Sequence, residues 1–328
     1  METVKILIDT KGSDKGPATV ISGAAAALAK FPSLGVVLVG DAELLNAECE
    51  KLSMPSDRIE IVDAPGEITN YDNPAEALFN KTDSSMLRGL ELLGERDDIF
   101  GMLTAGSTGV LLTGAIRYAP SKERTRPALA AVLPCSDGSF TCLVDTGATI
   151  DCTPAMLHHF ALLGSDFMRR TYGIENPRIG LLSNGAEAGK GNKLVKETYP
   201  MLAEDDRLNF VGNVEGNVAL TGICDVLVCD GFAGNQVLKV TEGTAARIIT
   251  DIMKYAHREG LDEVKKLAYH LMGVYDISSL GGGVILGVGK PIIKTRGNAG
   301  ESAIVNTAEM LLNMASNKSV FDKSRNKI

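Results

Sequence analysis

Residues Ile179–Asn192 read IGLLSNGAEAGKGN, and the residues beyond them, KLVKETYPML, continue at helical spacing. The apolar run is continuous rather than alternating, as in strands covered on both faces. It opens onto a loop with glycines at 185, 189 and 191 and one cation, Lys190. Glycine lets backbone N–H groups approach a ligand with no Cβ in the way, and a helix N-terminus adds partial positive charge. The unit is therefore strand, glycine loop, helix, with the helix expected over Lys190–Leu202.

The same unit recurs along the chain. Strands are expected at Val4–Asp9, Val36–Val39, Ile59–Val62, Ile99–Leu103, Leu129–Leu133, Phe140–Val144, Leu208–Val211, Val226–Cys229 and Val284–Leu286. Helices are expected over Pro17–Lys30, Ala42–Leu52, Pro74–Leu93, Ser107–Tyr118 and Pro154–Tyr172. Asn73-Pro74 and Thr153-Pro154 each place a capping side chain before a proline at the first helical position. Such alternation implies an α/β fold, a mostly parallel sheet between helices. No repeat and no low-complexity linker divides the chain, so residues 1–328 read as one α/β unit. Within it, residues 244–272 carry two apolar stripes separated by Gly260 and read as a helical hairpin for association.

Composition narrows the function. The 328 residues are 45% hydrophobic and 23% charged, which is globular rather than disordered. The net charge of −8 and the absence of Trp argue against nucleic acid as a partner. The amino terminus, METVKILIDTKG, has no basic segment followed by a long apolar stretch, so no signal peptide is expected. No apolar run is long enough to span a membrane. The six Cys form no C-x-x-C and there are only four His, so no zinc site is expected and the thiols read as reduced and cytoplasmic.

Five glycine-rich or polar loops follow strands, where open α/β sheets bind ligands. The first, Asp9–Pro17, contains Gly12 and Asp14, and the second, Thr104–Gly109, contains Gly106, Ser107 and Thr108. The third is Asp145–Asp151 with Gly147, and the fourth is Asn184–Asn192 with Gly191. The fifth is Asp230–Asn235 with Gly231 and Gly234. Tight turns explain any one of them; five together point to a polar ligand. Asp9, Asp145 and Asp230 end apolar runs, as caps or as orienting groups. Nucleotide signatures fail. The Gly185–Lys190 loop has three residues between its glycines where a P-loop has four, and Gly191 stands where Ser or Thr would hold magnesium. No G-x-G-x-x-G follows the first strand, and no G-x-S-x-G elbow is present.

These loops, in this order, resemble the bacterial phosphate acyltransferases of phospholipid synthesis, the PlsX family. The matching segments are TAGSTGVLLTGA (104–115), RPALAAVLP (126–134), DTGATIDCTP (145–154), FALLGSDF (160–167), GIENPRIGLLSNGAEAGKGN (173–192), NFVGNVEGN (209–217) and VCDGFAGNQVLK (228–239). The resemblance implies a three-layer, isopropylmalate-dehydrogenase-like α/β/α fold, shared with phosphotransacetylases. It implies transfer of a fatty acyl group from acyl carrier protein to inorganic phosphate, with no cofactor and no metal. It further implies a cytoplasmic homodimer in peripheral contact with the membrane. Three loops depart from the family pattern: DTKGSDKGP stands for DAMGGDNAP, Ser107 for an Asn, and Arg296 for the His of a His-Gly pair. These departures leave room for a paralogue using a short acyl thioester, for a non-catalytic scaffold, and, on fold analogy alone, for a dehydrogenase.

The chemistry needs only placement. Phosphate attacks a thioester carbonyl and a thiolate leaves, so the protein must hold phosphate and stabilise an oxyanion. Lys190 and the N–H groups of Gly106–Gly109 are expected to hold phosphate. Asn235 or the amides of Gly231–Gly234 would face the oxyanion, and Asp230 would orient substrate or take a proton. Asp9, Gly12, Asp14, Asp145, Gly147, Asn184, Gly191 and Asn192 complete the expected ligand loops. Cys152 and Cys229 read as buried small residues before they read as acyl carriers.

Overall fold

The structure is a computed structural model that describes residues 3–121, 126–275 and 282–316. These residues form an α/β protein that divides into two compact units where the sequence reads as one. One takes in 3–121, 126–128 and 282–316; the other takes in 129–275.

The first unit runs β1 (Val4–Asp9), α1 (Pro17–Lys30), β2 (Leu34–Gly40), α2 (Ala42–Lys51), β3 (Ile59–Asp63), α3 (Pro74–Asn80), α4 (Ser85–Glu95), β4 (Ile99–Thr104) and α5 (Thr108–Tyr118). It is completed by β10 (Gly283–Leu286), β11 (Ile292–Lys294) and α10 (Glu301–Ala315). The strand order is β3-β2-β1-β4-β11-β10, parallel except for the β10–β11 pair. All seven residues of β2 are buried, as expected of a strand covered on both faces. Neighbouring residues of β4 show the two covers. Gly101 leaves room for Leu311 of α10, while Met102 meets Gly89 of α4.

The second unit runs β5 (Ala128–Pro134), β6 (Phe140–Val144), α6 (Pro154–Tyr172), β7 (Arg178–Ser183), α7 (Lys193–Ala203), β8 (Asn209–Glu215), β9 (Val226–Val228), α8 (Gly231–Glu259) and α9 (Asp262–Tyr275). Its strand order is β5-β6-β9-β7-β8, with only β5 antiparallel to its neighbour. Val144 and Val226 pack under Gly164 of α6. Leu143 and Leu227, one residue along each strand, lie in the cluster that meets Ala233, Val237 and Leu238 of α8.

Four expectations are revised. The helix read over Pro74–Leu93 is two helices, because Ser84 caps a new one by accepting from the Leu87 N–H. The fifth loop is not a loop: Asp230 caps α8 by accepting from the Ala233 N–H at 2.8 Å, so Gly231–Asn235 are its opening turns. In the fourth loop, by contrast, the helix starts later, at Lys193, which leaves Lys190 on the loop. β11 and α10 carry patterns that the sequence reading passed over. The hairpin at 244–272 is formed by the end of α8 and α9, joined through Gly260 in the left-handed region. Ile249, Ala256 and Ala268 are buried in it, while Ile248, Tyr255, Leu267 and Tyr269 are exposed.

Two glycines of α8 test its packing. A Cβ on Gly234 would lie 1.9 Å from the Asp145 carbonyl oxygen, whereas one on Gly243 meets nothing within 4 Å. Gly234→Ala should therefore lower stability by about 1–3 kcal/mol. Gly243→Ala should raise it by about 0.5–1 kcal/mol. Urea midpoints decide; equal shifts in one direction would contradict this packing.

Candidate functional site

In each unit the candidate residues gather at the carboxyl ends of parallel strands. In the second unit a cleft of about 480 Å³ opens between the ends of β7 and β9. Ser183, Asn184, Gly191 and Asn192 form one wall, Cys229 and Asp230 the other, and Leu157 of α6 closes an apolar side. Two helices begin here. Asn192 caps α7 by accepting from Val195 N–H at 3.0 Å, and Asp230 caps α8. Both therefore bring their N-terminal dipoles to the cleft.

The Asn184–Asn192 loop is closed on itself. Gly191 N–H donates to Asn184 Oδ1 at 2.9 Å, and Lys190 N–H donates to the Glu187 carbonyl at 2.9 Å. The stem of Lys190 lies over Gly185, where a Cβ would come within 2.7 Å of its Cγ. Lys190 itself is exposed, on the residue before the Gly191 wall of the cleft. Asn235 lies half-buried on the second turn of α8.

Asp145 has another task. Its fully buried carboxylate accepts from the N–H groups of Leu129, Gly147, Ala148 and Thr149, at 2.6–3.2 Å. Burial pushes its pKa up, and the four N–H donors pull it back. It shapes the third loop, with three of these donors on Oδ1 and one on Oδ2. That loop then receives α8: Gly231 N–H donates to the Thr149 carbonyl at 2.8 Å. Gly231 and Gly234 serve this approach, since a Cβ on either would strike residues of the third loop. Gly147 adopts φ 135° with open space about it.

In the first unit, Asp9 is buried at the end of β1. It accepts from the Ser85 hydroxyl at 2.5 Å, the Thr104 hydroxyl at 2.6 Å and the Lys11 N–H at 3.2 Å. Thr104 Oγ1 in turn accepts from the Gly106 N–H at 3.0 Å. Gly12, at φ 82°, brings the first loop against the second, where its Cβ would sit 2.7 Å from Gly106 Cα. Asp14 donates its N–H to the Gly297 carbonyl. Ser107 is buried at the N-cap position of α5, where its carbonyl accepts from the Leu111 N–H and its side chain makes no capping bond, Thr108 is half-buried, and Gly109 packs on Pro74. Ser85, Thr104 and Ser183 were not singled out in the sequence; only the new helix start at Ser84 brings Ser85 to Asp9.

The cysteines do not look like nucleophiles. Cys229 reaches the cleft wall, but burial holds its thiol well above the ordinary range, so thiolate is scarce. Cys152 donates to the Thr149 carbonyl. Among the described residues no three His, Cys, Asp or Glu side chains gather as a metal site.

The fatty acid synthesis protein family matches residues 4–320. The chain belongs to that family. It is 38% identical to the phosphate acyltransferase of Halothermothrix orenii, over 94% of this chain and 93% of that protein. It is 37% identical to that of Streptococcus pneumoniae, over 98% of both chains. Among solved structures, it resembles the EutD phosphotransacetylase from Staphylococcus aureus, with a TM-score of 0.63, 17% identity and coverage of 96% of this chain and 94% of that one. A branched-chain phosphotransacylase from Enterococcus faecalis gives a TM-score of 0.56 at 15% identity, over 94% of this chain and 99% of that one. These two likenesses concern the fold.

Asp9 yields a prediction. Burial raises its pKa from the ordinary 3.8 to about 6 against the pull of its three donors. Between those values the unfolded chain binds fewer protons, so this carboxyl weakens the fold as pH rises from about 4 to about 6 and then holds constant. Ser85→Ala removes a donor to the charged form and should raise the pKa further. Its cost should be about 1.5–3 kcal/mol at pH 8 and smaller at pH 5. Denaturant unfolding at the two pH values measures it, and an equal cost at both would refute the assignment.

Proposed function

We propose that this protein moves a fatty acyl group from acyl carrier protein to inorganic phosphate, giving acyl phosphate for phospholipid synthesis. The family and its curated relatives support transfer to phosphate. The observation that carries the site is the β7–β9 cleft, where two helix N-termini and the Lys190 loop meet. Backbone N–H groups and a cation suit an oxyanion. Lys190 holds phosphate, with Asn184, Gly191 and Asn192 framing it. A phosphate oxygen attacks the thioester carbonyl carbon, the tetrahedral oxyanion collapses, the C–S bond breaks and thiolate leaves. Asn235 and the opening amides of α8 face the oxyanion, and Asp230 orients the substrate. In the first unit, Gly12, Asp14, Gly106, Ser107, Thr108 and Gly109 lie on loops held by Asp9 and suit a polar ligand of their own. Charge development in the transition state is met by donors already in place.

Incubation with phosphate and a panel of acyl carrier protein and coenzyme A thioesters, followed by hydroxylamine trapping, tests the reading. Acyl hydroxamate should form faster with phosphate and enzyme present than by the direct reaction of the thioester with hydroxylamine. No phosphate-dependent hydroxamate from any thioester would remove the assignment. Lys190→Ala should raise the KM for phosphate roughly tenfold to over a hundredfold, since a charged hydrogen bond contributes about 1.5–3 kcal/mol. An unchanged phosphate dependence would take Lys190 out of the site.

The α8–α9 hairpin supports the homodimer in this reading, through exposed Ile248 and Leu267, and it supplies the peripheral membrane contact of a cytoplasmic enzyme. No helix among the described residues is long and apolar enough to cross a membrane. Ile248→Asp and Leu267→Asp should each weaken dimerisation by about 1.5–3 kcal/mol in sedimentation experiments. An unaltered dimer would place the interface elsewhere.

A further inference from the structure

Asn213 stands on β8, outside the cleft wall, yet it is only 7% exposed. Its Nδ2 donates to the Glu187 carbonyl at 2.8 Å. That same carbonyl accepts from the Lys190 N–H. The orientation of the amide is unambiguous, because a carbonyl can only accept and must face Nδ2. The other end of the amide, Oδ1, is buried and accepts from no described protein group. A buried acceptor of this kind is costly to retain, and an apolar residue would fill the place without that cost. Packing alone therefore does not account for an asparagine here.

The strand is also built to aim this side chain. Ile179 pairs with Phe210, but Gly180 pairs with Gly212 and Leu181 with Asn213, so β8 holds one extra residue. Gly212 takes φ 99° at this bulge, a conformation that favours glycine. Because side chains alternate along a strand, one extra residue reverses every face beyond it. Asn213 thus shares the face of Phe210, whose ring packs edge-on against Tyr199 of α7 at 5.1 Å. That is the side from which the Lys190 loop leads into α7.

We infer that Asn213 is a positioning residue for phosphate binding: through the Glu187 carbonyl it fixes the turn that presents Lys190. The inference rests on the proposed role of Lys190. It is tested with full-length Asn213→Leu, which keeps bulk and loses the donor, and Asn213→Ser, which is small and too short to reach Glu187. The KM for phosphate should rise about five- to tenfold, the effect of one neutral hydrogen bond. The KM for the acyl carrier thioester and kcat should stay within roughly twofold. Added to Lys190→Ala, Asn213→Leu should change the phosphate KM by less than about twofold, since the two residues act as one device. Equal rises in both KM values, or a full effect without Lys190, would overturn the inference. If Lys190→Ala alone leaves the phosphate KM unchanged, the proposed role of Lys190 fails. The grip of Asn213 on the loop is then judged separately by hydrogen exchange. Amides of 184–192 should exchange faster in Asn213→Ser, and unchanged exchange would refute that grip.

Discussion

Strands covered on both faces offer only their ends to a ligand, and the chain leaving those ends must find partners for its backbone groups. In this protein polar side chains at the strand ends meet that constraint. Asp145 gathers four N–H groups of its own loop and of β5. Asp9 gathers one N–H and two hydroxyls, and Asp230 caps α8. The third loop then offers its Thr149 carbonyl to the first residue of α8, so the position of that helix depends on the Asp145 network.

This constraint sorts acidic residues that look alike. Asp9, Asp145 and Asp230 each follow an apolar run in the sequence. Asp145 is fully buried and bound to four backbone donors, Asp9 is buried with its pKa raised to about 6, and Asp230 stands half-buried on a cleft wall. Only the third combines solvent access with a place beside a helix N-terminus. The cation is treated oppositely: Lys190 is left exposed on a closed loop whose geometry is held by Asn184, Glu187 and Asn213.

The three departures from the family pattern also fall into place. Lys11, Ser107 and Arg296 all belong to the first unit. The Lys11 ammonium donates to the Pro65 carbonyl, so that new charge is spent within the unit. Arg296 precedes Gly297, whose carbonyl receives the Asp14 N–H and the Ser13 hydroxyl. The second unit keeps the Asn184–Asn192, Asn209–Asn217 and Asp230–Asn235 segments that carry the resemblance.

Local chemistry made much of this legible in the sequence. Continuous apolar runs announced buried parallel strands, and Asn73, Thr153 and the prolines after them marked helix starts that the structure reproduces to the residue. Gly12, Gly147 and Gly191 were legible as turn residues, and all three adopt positive φ. Tertiary structure alone decided the rest. Gly231–Asn235 read as a loop, since glycine disfavours helix, yet the cap at Asp230 and the contact with Thr149 hold them helical. β11 is three residues long and gains its stability from pairing with β4, which no local pattern reports. Ser85 lies 76 residues from Asp9, and Asn213 lies 26 from Glu187. Hydrogen bonds across such separations leave no periodicity in the sequence. They exist only once strands have set their register and a bulge has turned one side chain toward its partner.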